Sequence, residues 1–174
     1  MLSQTMQNAF NEQIKNEFYS AYFYLAMSGY FDATNLPGFA KWMRAQYEEE
    51  VMHGLKMFDF VHDRDGRVSL QAIGMPPADF KSPLEVFQQT LAHERKVTEL
   101  INNLYALAMK EVDYPSQVLL QWYITEQVEE EKVASNLVEQ LKMIGDNGSA
   151  LLLLDRELGG RKSGGAEATG ADAT

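Results

Sequence analysis

"GRVSLQAIGMPPADFK", residues 66–81, is a stretch rich in glycine and proline set between long segments of helical periodicity. Upstream, apolar residues recur at spacings of three and four from about Gln4 to Ala33, where "ATNLPG" interrupts them. The pattern restarts near Leu36–Pro37, with proline tolerated in a first turn, and stops at "DRDG" around Gly66. Downstream, Ser82 as N-cap, Pro83 at the first position and Glu85 closing a capping box start a third helix, which runs to about Glu111. "VDYP" separates it from a fourth over Ser116 to Ile144, and "SALLLLDREL" suits two or three further turns.

Connection lengths set the topology. The first and second helices are about three residues apart, as are the third and fourth, so each pair must be an antiparallel hairpin. The 16 residues of 66–81 are different. Extended, they reach roughly 50 Å, and a helix of about 29 residues is about 43 Å long. The segment can therefore cross the whole bundle and leave helices two and three parallel. The expected fold is all-α: a four-helix bundle with one long crossover between helices two and three and a short fifth helix. The division expected is one helical domain over 1–160 and a small, polar, disordered tail over 161–174.

Composition narrows the function. A chain of 174 residues is the size of one domain with a substantial core. A net charge of −10 disfavours nucleic acid and anionic membrane as partners and suits attraction of cations. Cysteine is absent, which excludes disulfides, thiolate nucleophiles and zinc–thiolate sites, and fits a cytoplasmic location. The N-terminus lacks the basic start and apolar run of a signal peptide, and no stretch approaches the ~20 apolar residues of a membrane span.

Each apolar stripe is broken by polar residues of ligand type, and only near its middle. The first helix reads Phe10, Ile14, Glu17, Ala21, Tyr24, and the second Phe39, Met43, Gln46, Glu50, His53, Met57, Phe60. The third reads Phe87, Leu91, Glu94, Val97 or Thr98, Ile101, and the fourth Leu120, Tyr123, Gln127, Glu130, Ala134, Leu137, Leu141. Measured from the hairpin turns at 1.5 Å per residue, Glu17, Glu50, Glu94, Gln127 and Glu130 agree in height to within roughly one turn. A shift of 77 residues maps Glu17 onto Glu94, Glu50 onto Gln127, His53 onto Glu130 and Phe10 onto Phe87. The chain reads as one helical hairpin repeated about an approximate two-fold axis.

Buried carboxylates repel one another and each lose several kcal/mol of hydration, so protons or cations must neutralise them. Carboxylates with one imidazole suit Fe(II) or Mn(II), with zinc as competitor; a proton-sharing network is the metal-free alternative. Glu48 and Glu131 read as solvated, and His62 and His93 as ordinary histidines. Met52 reads as packing, so no haem is expected.

The constellation of Glu17 with Tyr24, "EEEVMH" at 48–53, Glu94 in "AHER" and "TEQVEEE" at 125–131 resembles the ferritin family, most closely its non-haem bacterial members, over about residues 1 to 160. The resemblance implies a 24-subunit shell that oxidises Fe(II) with dioxygen or peroxide and stores a ferric mineral. It implies two irons per subunit, Glu17, Glu50 and His53 holding one, and bridging Glu50 with Glu94 and Glu130 holding the other. Gln127 becomes a hydrogen-bonding partner, and Glu49, Glu126, Glu129 and Glu130 a third iron position. Tyr24 is implied to supply an electron, with Trp122 close by, and the fifth helix to line four-fold pores. Gln127 and Glu130 stand where haem-binding relatives carry a second Glu-x-x-His, and Val51 stands where they carry the haem methionine. A complete site within the bundle and a nearly neutral tail also separate this chain from the DNA-protecting ferritins. A di-iron peroxidase or oxygenase and a non-catalytic metal-buffering bundle use the same ligands.

Overall fold

The computed structural model describes residues 1–160, so the expected disordered tail at 161–174 lies outside the described residues. Five helices follow one another: α1 Gln4–Ala33, α2 Pro37–Asp63, α3 Pro83–Lys110, α4 Tyr114–Ile144 and α5 Gly148–Gly159. No strand occurs among the described residues. α1 packs along α2, and α3 along α4, while α1 also meets α3 and α5 lies chiefly on α2. The crossover runs over 64–82, slightly longer than expected, because α2 ends at Asp63.

Each start has a physical cause. Ser3 Oγ accepts from Met6 N–H at 3.2 Å to cap α1, and Asn147 caps α5 through Ala150 N–H. Ser82 caps α3 as expected, but the Glu85 carboxylate accepts from Lys81 N–H, one residue outside a capping box. α4 begins two residues earlier than its periodicity suggested, because Asp113 caps it through Ser116 N–H and Pro115 is tolerated in the first turn. α2 has no side-chain cap of its own, since Leu36 occupies the cap position.

That deficit is met from the far end of the chain. The buried Asp155 carboxylate of α5 accepts from Gly38 N–H at 2.8 Å and Phe39 N–H at 3.0 Å. A Cβ at position 38 would lie 1.6 Å from the Asp155 carbonyl oxygen, so only glycine admits α5 this close. Lys41 Nζ donates to the Gly159 carbonyl, completing the dock.

The apolar core divides in two. Tyr24, Met27, Phe31, Phe39, Trp42, Met43, Phe87 and Leu141 fill the end nearer α5. Met6, Phe10, Ile14, Met57, Val61, Ile101, Leu120 and Tyr123 fill the other. Between them lies a layer of buried polar residues.

Candidate metal centre

The layer contains Gln13 and Glu17 from α1, Gln46, Glu50 and His53 from α2, Glu94 from α3 and Gln127 from α4, all buried. On each helix their separations are three or four residues, which turns them to one side. Glu17, Glu50 and His53 converge: one ligand atom from each lies within 4.8 Å of the others. His53 Nδ1 is 3.4 Å from Glu50 Oε2, and that oxygen is buried without a hydrogen-bond partner. An acceptor in this state has lost water without gaining a hydrogen bond in its place. Oxygen and imidazole donors around an open acceptor fit a divalent cation of the Fe(II) or Mn(II) type.

Glu94 and Glu130 meet protein donors instead. Tyr24 Oη donates to Glu94 Oε1 at 2.5 Å, and Gln127 Nε2 lies 3.2 Å from both Glu94 Oε2 and the Glu94 carbonyl. Gln46 Nε2 donates to Glu130 Oε2 at 3.0 Å, and Glu130 is only half-buried. Both still bear on the centre, since the negative charges of Glu94, Glu17 and Glu130 all act on Glu50.

Burial is the largest influence on the carboxyls. It raises Glu50 far above the usual range, with Glu94, Glu17 and Glu130 adding to the rise. It raises Glu17 too, against the opposing effects of His53 and the Gln13 hydrogen bond. Glu94 is raised to about 7 by burial, partly offset by the Tyr24 and Gln127 hydrogen bonds. Burial also raises the Tyr24 phenol, with Glu94, Glu130 and Glu50 contributing. Burial therefore favours the protonated carboxyls when no cation is present, and a cation would compete with those protons.

Gln13 and Gln46 are supporting residues that the sequence reading did not single out. Gln13 Nε2 donates to Glu17 Oε1 at 2.8 Å, a bond that an i, i+4 Gln–Glu pair on a buried stripe could have signalled. Gln46 stood in the stripe, but its partner lies on another helix. Tyr123 Oη donates to the His53 carbonyl at 2.7 Å and ties α4 to α2 at the same level.

The outer residues form a separate ladder. Glu49, His53 and Lys56 share one side of α2, and Trp122, Glu126 and Glu129 share one side of α4. The indole of Trp122 meets the His53 ring edge-on, 5.3 Å between centroids. Glu49 and Glu126 are half-buried and Glu129 is exposed. Among the described residues, these carboxylates do not close to the spacing of the inner three. Burial raises Glu126, His53 opposes this, Glu129 and Glu49 add to it, and Lys56 lowers it again.

Glu48 is exposed as expected, but Glu131 is not simply solvated. It accepts from Thr98 Oγ1 at 2.6 Å and faces Arg95, because its position on α4 points toward α3. His93 is a satisfied, half-buried histidine: Nε2 shares a 2.8 Å hydrogen bond with Ser20 Oγ, and burial with nearby Lys96 lowers its pKa to about 4. His62 is exposed beside Phe58.

Comparison with known proteins decides the family. The Ferritin-like domain matches residues 7–144. The chain belongs to the ferritin family. It is 40% identical over 161 residues to the bacterial non-heme ferritin of Bacteroides fragilis, covering 92% of this chain and 100% of that one. Against the bacterial non-heme ferritin of Staphylococcus aureus the identity is 37% over 161 residues, covering 92% and 97%. Among solved structures, the open pore ferritin of the archaeon Archaeoglobus fulgidus superposes with a TM-score of 0.92 at 49% identity, covering 93% of this chain and 100% of that one. A humanized archaeal ferritin gives 0.94 at 47%, covering 95% and 100%. These ferritins share the four-helix bundle with its crossover, so the fold expected from the connection lengths is the fold of the family. No helix among the described residues is long and apolar enough to cross a membrane.

Proposed function

We propose that this member of the ferritin family is an iron-storage protein that oxidises its cargo at the mid-bundle site. The observation that carries the reading is the buried Glu50 Oε2, without a hydrogen-bond partner, beside Glu17 and His53. Iron is here the substrate. Glu17, Glu50 and His53 take one Fe(II), and Glu50, Glu94 and Glu130 take a second, with Glu50 between them. Gln13, Gln46, Gln127 and Tyr24 hold the carboxylates in place until iron arrives. The Glu94 oxygens then exchange protein donors for metal. Each Fe(II) gives up one electron, dioxygen takes both and leaves as peroxide, and hydrolysis of Fe(III) releases protons to solvent. Peroxide can accept two electrons in the same way. Excluding water from the layer strengthens every charge interaction within it.

Glu49, Glu126, Glu129 and Glu130 are proposed as a third cation position, and Tyr24 as the nearest phenol able to supply a further electron. The chain assembles with copies of itself into a hollow shell of 24 subunits, with α5 at the four-fold axes, and works in the cytoplasm. The test adds Fe(II) anaerobically to the assembled protein, admits air, and follows ferric absorbance with particle size. Fast oxidation with many irons retained per subunit in a large soluble particle is expected. Oxidation by a small oligomer that retains only two irons would replace storage with a di-iron oxygenase or peroxidase, and binding without oxidation would leave a metal buffer.

A further inference from the structure

The ladder between α2 and α4 ends in a positive charge that the proposed iron chemistry leaves unused. Lys56 Nζ sits over the indole of Trp122, 3.6 Å from the ring centroid. Lys56 stands three residues beyond His53 and seven beyond Glu49, on the side of α2 that faces Trp122, Glu126 and Glu129. It makes no ion pair among the described residues, so no carboxylate holds it at contact distance. The indole face does so instead, as the quadrupole of a large aromatic ring attracts an ammonium. Trp122 stands four residues before Glu126 and seven before Glu129, so the ammonium resting on it lies at the foot of the same ladder of carboxylates.

We propose that Lys56, braced on Trp122, is the resident counter-cation of the outer carboxylates, and that it makes the outer position fill after the inner one. This rests on reading Glu49, Glu126 and Glu129 as a cation position. Without metal the ammonium offsets part of the repulsion among the three carboxylates. A divalent cation entering there meets a fixed like charge, which weakens its binding. Lys56 is exposed, whereas Glu17 and Glu50 are buried in the polar layer, so the inner position feels its water-screened charge less. An arginine could replace the lysine, since a guanidinium also stacks on an aromatic face. A methionine would keep the apolar stem along the ring and remove the charge.

The probe is Mn(II), titrated without oxygen into the full-length assembled protein and followed by calorimetry and by EPR of the unbound ion. Outer binding is defined as the class lost in the Glu126→Gln/Glu129→Gln variant. Lys56→Met is expected to tighten that class roughly three- to tenfold at low salt, as repulsion between a single and a double charge several ångströms apart in a watery medium dictates. The inner class should move less than twofold, Lys56→Arg should match the wild type, and the gain should shrink in high salt. An outer class unchanged in Lys56→Met would overturn the role of Lys56 while leaving the third position intact. No outer class in the wild type or in Lys56→Met would remove the third position itself, and the proposal with it.

Discussion

The two helical hairpins, α1–α2 and α3–α4, stand in equivalent places 77 residues apart, yet they serve the polar layer in opposite ways. In the first, Glu50 and His53 converge with Glu17 and leave a buried oxygen open. In the second, Gln127 occupies the place of Glu50 and donates to Glu94, while Glu130 occupies the place of His53 and accepts from Gln46. The turns differ as well. Asp113 caps α4 from the adjacent residue, whereas α2 is capped by Asp155 from 117 positions away. A repeat sets the height at which polar groups meet; donor and acceptor chemistry decides which half is left poised for a cation. An amide brings its own donor and satisfies its neighbour, whereas a carboxylate beside an imidazole leaves an acceptor that water cannot reach.

The largest expected effect breaks the comparison at its centre. Glu50→Ala and His53→Ala should slow the initial rise of ferric absorbance by at least about 100-fold, while Gln127→Ala, which only loosens Glu94, should slow it by about tenfold. Equal losses on the two hairpins would erase the distinction drawn between them.

The second prediction concerns pH. The folded Glu94 carboxyl is raised from the ordinary 4.5 to about 7, so between these values the folded state binds more protons than the unfolded one. Stability of the metal-free protein should therefore fall as pH rises from about 4.5 to about 7, with Glu17 and Glu50 pulling in the same direction. Urea midpoints at fixed protein concentration would show it. Glu94→Gln should flatten the slope in part, and saturating Mn(II) should flatten it further. A slope unchanged by both would place the protons elsewhere.

The third compares the caps. Asp155→Ala strands two buried N–H groups at the start of α2 and should cost about 1–2 kcal/mol, read from the denaturation midpoint, with the oxidation rate unaltered. A loss of oxidation in that variant would mean that α5 reaches the centre, contrary to the geometry.

The smallest effect lies in the turns. Asn35 and Val112 both adopt left-handed φ, 60° and 54°, where the chain leaves α1 and α3. Asparagine tolerates that region and a β-branched residue does not. Val112→Gly should raise stability by about 1 kcal/mol, while Asn35→Gly should change it by less than about half of that. Matching changes at the two sites would show that Val112 carries no strain.

Much of this was legible from residue order because helical period and chain length act locally. The breaks at "ATNLPG" and "VDYP" located both hairpins, and the reach of 66–81 settled the crossover. The interrupted stripes placed Glu17, Glu50, His53, Glu94 and Gln127 in one buried layer. The less legible features depend on partners from other helices. Gln46 was a polar residue in a stripe until α4 brought Glu130 to it. Glu131 read as solvated until Thr98 and Arg95 arrived from α3. Nothing in the residue order marked Lys56, which α4 brings onto the face of Trp122.

The sequence by itself therefore determined the helices, their order, and the level at which the carboxylates collect, since each follows from spacing along one chain. Only the tertiary structure decided which oxygen is left open, which carboxylates are already hydrogen-bonded, and what closes α2. Those outcomes depend on donors that meet across helices and on water being driven out as they do.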